Sequence, residues 1–324
     1  MSISVSGSQI TFNDASTQTT AATGFGFKNR IINGAMQVAQ RGTSISSGTG
    51  SQTYTLDRWA SFATGAAVNI SQVAGIGGSQ YALQVTGASS NTLVQLIQKI
   101  EQKNSYDLAN QTVTLSFVGQ ASTATTVIVY FSYATVADNF NSTTAITSVS
   151  FNLTTSAQTF STQVSIPVGA TTGLQILYSF NSGLGSGVTA TFTNIQLEKG
   201  STATSFDYRP YGTELIMCQR YFQQWNSLPT NSATVALGTG NGIARIDTPY
   251  SFKTIMRATP TLTSSAANTF IASPNSISIT AVALADSGYD VGMLIFSGTV
   301  VSGMAYKVFA NSTTAAYLNF SSEL

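Results

Sequence analysis

Apolar and polar residues alternate with a period of two through most of the chain, most clearly at 111–118 (QTVTLSFV), 125–133 (TTVIVYFSY) and 173–180 (GLQILYSF). Runs of this kind, rich in β-branched and aromatic residues and separated by Gly, Ser, Asn and Thr, predict strands. They recur at intervals of roughly 8 to 15 residues without amphipathic helices between them. That spacing predicts a sandwich or jelly roll rather than a parallel α/β sheet. Around 93–103 (LVQLIQKIEQK) a helical turn competes with a strand carrying Val94, Leu96 and Ile100 on one face, and the strand is favoured. Thr213 to Phe222 follows Pro210 and Gly212, has Thr213 as a candidate N-cap, and predicts the one short helix. A second series of strands follows it, including Gly242 to Thr248, Ser276 to Leu284, Gly292 to Val300 and Lys307 to Ala310. The expected fold is therefore all-β: a jelly-roll β-sandwich, a short linking helix, and a second, smaller antiparallel β-sandwich. The expected boundaries are an N-terminal arm at 1–29, the jelly roll at 30–211, the linker at 212–224 and the last domain at 225–324.

Composition narrows the function. Hydrophobic residues make up 43% of the chain but charged ones only 8%, against about 25% in an average globular domain. Ser, Thr, Asn, Gln and Gly replace the missing charges and suit turns and exposed strand faces. With 13 basic and 12 acidic residues, a net charge of +1 and no basic cluster, the chain has no field to steer a polyanion. Nucleic-acid binding is not expected. No apolar run approaches the roughly 20 residues that cross a bilayer, and the first residues lack a signal peptide's basic and apolar regions. Neither membrane insertion nor export on a signal of its own is expected. The single cysteine, Cys218, reads as a small buried apolar residue.

There is no histidine, which removes Ser-His-Asp and Cys-His chemistry, the usual zinc ligand sets and the commonest neutral-pH base. A two-carboxylate glycosidase remains open in principle, but most acids sit in turns or beside a basic residue. No enzyme activity is expected. Asp57 precedes Arg58, Glu198 precedes Lys199, and Asp207 lies two before Arg209, so ion pairing or turn capping is the plain reading. The sharper reading of Asp57, Glu198 and Asp207 is calcium, held by oxygens from turns; otherwise no cofactor is called for. The glycine-rich stretch 238–242 (GTGNG) lacks the Lys-Ser/Thr of a phosphate loop and reads as a β-turn. Tyr54, Phe62, Tyr81, Tyr130, Tyr133 and Tyr178 lie on or beside strands of the first domain. Exposed rings there could stack on a sugar whose hydroxyls are bound by Asn, Gln and Arg. Trp59 reads as structural.

Several segments in order resemble a module of tailed-bacteriophage tail-fibre and fibre-like virion proteins. They are 29–41 (NRIINGAMQVAQR), 54–59 (YTLDRW), 194–200 (NIQLEKG), 206–211 (FDYRPY) and 214–221 (ELIMCQRY). In that family the first two open a jelly roll similar to carbohydrate-binding modules, and the last three close it. Residues 10–21 (ITFNDASTQTTA) are similar to an element near fibre N-termini, with Ala15 in place of its usual glycine, and 256–324 is similar to the C-terminal β domain that often follows. The resemblance implies a homotrimer, an N-terminal arm that attaches to another virion protein, and β domains turned towards a host-surface glycan. It also implies synthesis in the host cytoplasm and release by lysis. The alternatives are a structural or decoration fibre of head or tail that binds no receptor and, less in keeping with the sequence, a tailspike depolymerase.

Overall fold

The structure, a computed structural model, describes residues 27–228 and 230–324. Before them it describes only the backbone of three short strands, β1 (Ser4–Ser6), β2 (Gln9–Thr11) and β3 (Thr17–Gln18). The expected arm at 1–29 therefore lies almost wholly outside the described residues.

The first domain begins with β4 (Ser44–Ser46), β5 (Thr53–Tyr54), β6 (Ala60–Thr64), β7 (Asn69–Ala74), β8 (Tyr81–Thr86) and β9 (Leu93–Ile100). After a short helix, α1 (Gln102–Ser105), come β10 (Thr112–Ala121), β11 (Thr125–Val136), β12 (Asn139–Leu153), β13 (Gln158–Ser165), β14 (Leu174–Phe180) and β15 (Thr189–Lys199). They form two six-stranded sheets, ordered β13-β10-β15-β8-β7-β4 and β12-β11-β14-β9-β6-β5. The chain passes repeatedly from one sheet to the other, as in a jelly roll. Inward residues of both sheets make one core, in which Phe117 sits edge-on to Phe151 and Tyr178 at centroid separations of 5.1 and 5.3 Å. The segment 93–103 is a strand up to Ile100 and turns helical only at Gln102, where the alternation stops.

Helix α2 (Tyr211–Gln219) starts earlier than Thr213, because Pro210 occupies the cap position with φ −54° and its carbonyl accepts from the amides of Thr213 and Glu214. It also ends earlier, since Phe222 already pairs with Ser321 in the second domain. That domain contains β16 (Phe222–Asn226), β17 (Thr234–Asn241), β18 (Arg245–Ser251), β19 (Thr261–Ser264), β20 (Phe270–Ser273), β21 (Ile277–Ser278), β22 (Ala281–Ala285), β23 (Val291–Ser297), β24 (Ala305–Ala310) and β25 (Tyr317–Ser321). Its sheets are β16-β25-β19 and β21-β20-β24-β17-β18-β23-β22, packed over Phe270, Phe296, Leu318 and Phe320. The glycine-rich stretch is not a turn throughout: Gly238 and Gly240 lie within β17, and only Gly242 turns. Gly240 is needed there because a Cβ would stand 2.2 Å from the Val301 carbonyl oxygen.

The recognisable segments meet where the two domains join. Asn29 Oδ1 accepts from the amides of Ile31 and Leu197 at 2.9 and 3.0 Å, and its Nδ2 donates to the Ile195 carbonyl at 3.0 Å. Gly34 permits this approach, because a Cβ would lie 2.1 Å from the Ile195 oxygen. Arg209 donates to the Ile31 carbonyl and pairs with Glu214 at 3.2 Å, while Glu214 accepts from the Asn33 amide. Deeper in the seam, buried Arg58 pairs with Glu323, donates to the Lys99 carbonyl at 2.6 Å and lies 3.5 Å over the Tyr221 ring. Arg41 stacks on Phe222 and reaches Glu323 at 3.1 Å. Arg220 and the Tyr221 hydroxyl hold Glu101 at 2.8 and 2.9 Å. Burial would raise the Glu101 carboxyl, but the Arg220 hydrogen bond and charge, with the Tyr221 hydroxyl, keep it below its usual range. Burial and the Glu101 charge push the Tyr221 phenol up to about 12, against the opposing Arg58 charge. A chain with few charges thus concentrates many of them between its domains.

Candidate functional site

The outward face of the sheet containing β11, β14 and β9 is set by the parity of its strands. Val129, Tyr178 and Leu96 form one transverse row and point into the core. The next row, Tyr130, Leu177 and Ile97, points the other way. Flanking rows on this outer face are Ile128, Ser179, Gln95 and Phe62 on one side, and Ser132, Gln175 and Lys99 on the other. The result is an apolar strip flanked by Ser132, Gln175 and Lys99 on one side and by a mixed row, polar at Ser179 and Gln95, on the other.

A cleft of about 300 Å³ lies on this face, lined by residues including Gln95, Tyr130, Thr143, Gln175, Leu177 and Asn181. Asn181 Nδ2 donates to the Tyr130 hydroxyl at 2.9 Å, and Ser179 Oγ donates to Asn181 Oδ1 at 2.6 Å, which fixes the phenol. Gln175 leans on Ser132 with Nε2 to Oγ at 3.4 Å. Among the described residues, no Asp, Glu, Lys or Arg lines the cleft. From residue 139 to residue 197 the chain contains none of these four residue types at all. At the seam side of the same face, Lys99 donates to Gln52 and to the Leu324 oxygen at 2.9 and 2.8 Å. Burial, helped by the Arg58 charge, lowers the Lys99 ammonium below its ordinary value. Such an arrangement is chemically suited to a neutral molecule with both an apolar face and hydroxyl groups: the Tyr130–Leu177 strip offers a surface for the face, and the amides offer donors and acceptors for the hydroxyls.

Of the six aromatic residues singled out in the sequence, only Tyr130 lines this cleft. Phe62 is half-buried on the same face, in the row of Gln95. Tyr178 is fully buried, its ring among Trp59, Phe117 and Phe192, and desolvation drives its phenol well above the usual range. Tyr133 falls on the core side because it pairs with Leu174 in the row of Ile100. Tyr54 belongs to the seam: its hydroxyl donates to the Leu324 oxygen at 2.7 Å, and burial raises its pKa. Tyr81, the first residue of β8, is half-buried against the edge of the core and also borders a separate hollow. Gln95, Gln175, Leu177 and Asn181 were not singled out, although strict alternation in 173–180 already puts Gln175 and Leu177 opposite Tyr178.

The carboxylates considered for calcium do not converge, and among the described residues no group of three His, Cys, Asp or Glu is placed to hold a metal. Asp57 accepts from the amide and side chain of Gln40 at 2.7 and 2.6 Å, with Arg41 at 3.9 Å; burial nevertheless raises its pKa. Glu198 accepts from the amide and hydroxyl of Thr204 at 2.8 and 2.6 Å and from Gln196 at 2.8 Å. Asp207 accepts from the Asn29 amide at 3.3 Å. Of the plain alternatives, ion pairing or turn capping, Asp57 and Glu198 cap backbone amides of Gln40 and Thr204, while the neighbouring arginines pair elsewhere, Arg58 with Glu323 and Arg209 with Glu214. Cys218 is buried beside Ile32, Val38 and Tyr221, and desolvation raises its thiol pKa.

No family model matches the sequence, and no curated protein matches it. Among solved structures, it is similar to a protein described as "CBM4 structure and function", with 20% identity over 52% of this chain and 98% of that one and a TM-score of 0.37. It is similar to TmCBM61 in complex with β-1,4-galactotriose, with 12% identity over 53% of this chain and 99% of that one and a TM-score of 0.34. A third is the enzymatically active domain of tailspike protein 4 of bacteriophage CBA120, with 14% identity over 53% of this chain, a TM-score of 0.35 and coverage of only 22% of that longer chain.

Proposed function

We propose that this chain is a fibre protein of a tailed-phage particle that holds the host surface by binding neutral glycans in the outer-face cleft, and that it breaks no bond. The observation that carries the binding half is the cleft itself: an aromatic and aliphatic floor, amide borders and no charged side chain. Glycoside hydrolysis needs two carboxylates across the scissile bond, and the cleft lining offers none. The fibre half rests on the ordered motifs from 29–41 to 214–221, which interlock at the domain seam. In this reading the chain is a homotrimer in the virion, its N-terminal arm joins another virion protein, and three copies convert weak single-site binding into durable attachment.

The test is a glycan array probed with the purified chain and with Tyr130→Ala, alongside light scattering for the trimer. The expected result is a set of neutral glycans bound by the wild type and lost in the variant. Blank arrays from a well-folded trimer would favour a decoration fibre that binds no receptor. Release of reducing ends from host polysaccharide would instead establish a depolymerase.

A further inference from the structure

A second hollow, of about 360 Å³, opens at one end of the first sandwich and is lined by Gln37, Gln72, Gln80, Tyr81 and Tyr211. Three distant stretches build it. Gln37 follows Met36, whose φ is +57°, in the 29–41 loop. The β7–β8 hairpin supplies Gln72, Gln80 and Tyr81. Pro210 sets the start of α2 and so places Tyr211 at the rim, where it is 56% exposed. Tyr81 belongs to the other sheet from the one that carries the cleft, so the two hollows are separate.

From these residues we infer that this hollow is a second saccharide site, taking a neutral sugar unit between the Tyr81 and Tyr211 rings. The lining is uncharged among the described residues, which does not suit a phosphate, a carboxylate or a cation. Gln72 Nε2 donates to the Met36 carbonyl at 2.6 Å, which orients the amide and leaves Oε1 as an acceptor. Gln80 Nε2 reaches only to 3.5 Å from the Tyr81 hydroxyl, so both groups keep bonding capacity for a ligand. The half-buried Gln37 side chain hydrogen-bonds to no described residue yet lines the hollow. A planar amide presents a donor and an acceptor side by side, as vicinal hydroxyls do, and a phenol face suits the C–H face of a pyranose ring. The volume is at the small end for ligand sites and fits about one or two sugar rings. The site's chemistry stands apart from the reading of the cleft, and together they would let one chain grip two points of a branched or long glycan.

Saturation-transfer NMR with the methyl glycosides of glucose, galactose, mannose and N-acetylglucosamine tests it on four proteins. These are the wild type, the cleft variant Tyr130→Ala/Gln175→Ala, the end-site variant Gln37→Ala/Tyr211→Ala, and all four substitutions together. Both end-site positions are at least partly exposed, and matching melting curves confirm that the variants fold. The expected result is a glycoside signal that survives in the cleft variant, weakens about tenfold in affinity in the end-site variant, and vanishes in the combined one. Signal abolished by the cleft substitutions alone would overturn the end site and leave the cleft standing. Signal abolished by the end-site substitutions alone would support the end site and remove the cleft. Silence from all four glycosides in the wild type would overturn both.

Discussion

Arg58→Ala is the sharpest perturbation of the seam. The guanidinium is 1% exposed, pairs with Glu323, donates to the Lys99 carbonyl at 2.6 Å and covers the Tyr221 ring at 3.5 Å. Removing one member of a buried pair costs ~3–5 kcal/mol, because the other charge is left desolvated without its partner. Here Arg41 still stands 3.1 Å from Glu323, so the lower end, about 3 kcal/mol or roughly a hundredfold in the folding equilibrium, is expected. Trp59 in the first core and Trp225 on β16 place one fluorophore in each domain, and urea unfolding followed by their fluorescence reads the loss. Arg58→Met with Glu323→Gln should recover most of it, since neither charge then remains buried. A loss below about 1 kcal/mol would put the pair in the class of surface ion pairs and refute the reasoning.

Three further outcomes follow from single groups. The Tyr178 hydroxyl is buried with no hydrogen-bond partner among the described residues, so Tyr178→Phe should leave stability unchanged or raise it by up to about 1 kcal/mol in thermal unfolding; a loss of that size would mean the hydroxyl is bonded. Glu101 has a depressed pKa, so its contribution is complete above the unfolded value of about 4.3 and fades as pH falls through the lower folded value. Glu101→Gln should therefore flatten the acid limb of the stability profile below that point, and a profile parallel to the wild type would contradict this. Gly240→Ala places a methyl against the Val301 carbonyl and should cost ~1–3 kcal/mol by calorimetry, whereas Gly50→Ala, with open space around its Cβ position, tests only its φ of +74°.

Period-two alternation made the strands legible, because a half-buried pleated strand imposes it directly on the sequence. The same signal contains more than was drawn from it. In 125–133, parity separates Val127, Val129, Phe131 and Tyr133 from Ile128, Tyr130 and Ser132, and the two groups turn out to be core and outer face. Applied to the strand aromatics, parity places Tyr133 and Tyr178 on the core side, Tyr81 on the side of Leu83 and Val85 at the start of its strand, and Tyr130 on the outer face. Tyr54 was beyond its reach, since what buries that ring is a tail some 270 residues away. The ion pairs were illegible for the same reason: Arg58 and Arg209 reach partners that sequence adjacency does not reveal. The sequence predicts helix α2 but points to Thr213 as its cap, whereas Pro210 occupies that position. The recognisable motifs themselves form the seam, while the cleft is built mainly from strands and a loop outside them. Likeness in the motifs therefore speaks for the scaffold, and in the proposed function the choice of ligand falls to Gln95, Tyr130, Gln175 and Asn181.

The most direct measurement is a crystal structure of the chain soaked with the neutral glycan that scores highest on the array. The expected result is a sugar ring stacked along Tyr130 and Leu177, with hydroxyls within hydrogen-bond distance of Gln95, Gln175 or Asn181. A glycan bound only on the second domain, with the outer face of the first sandwich bare, would contradict it.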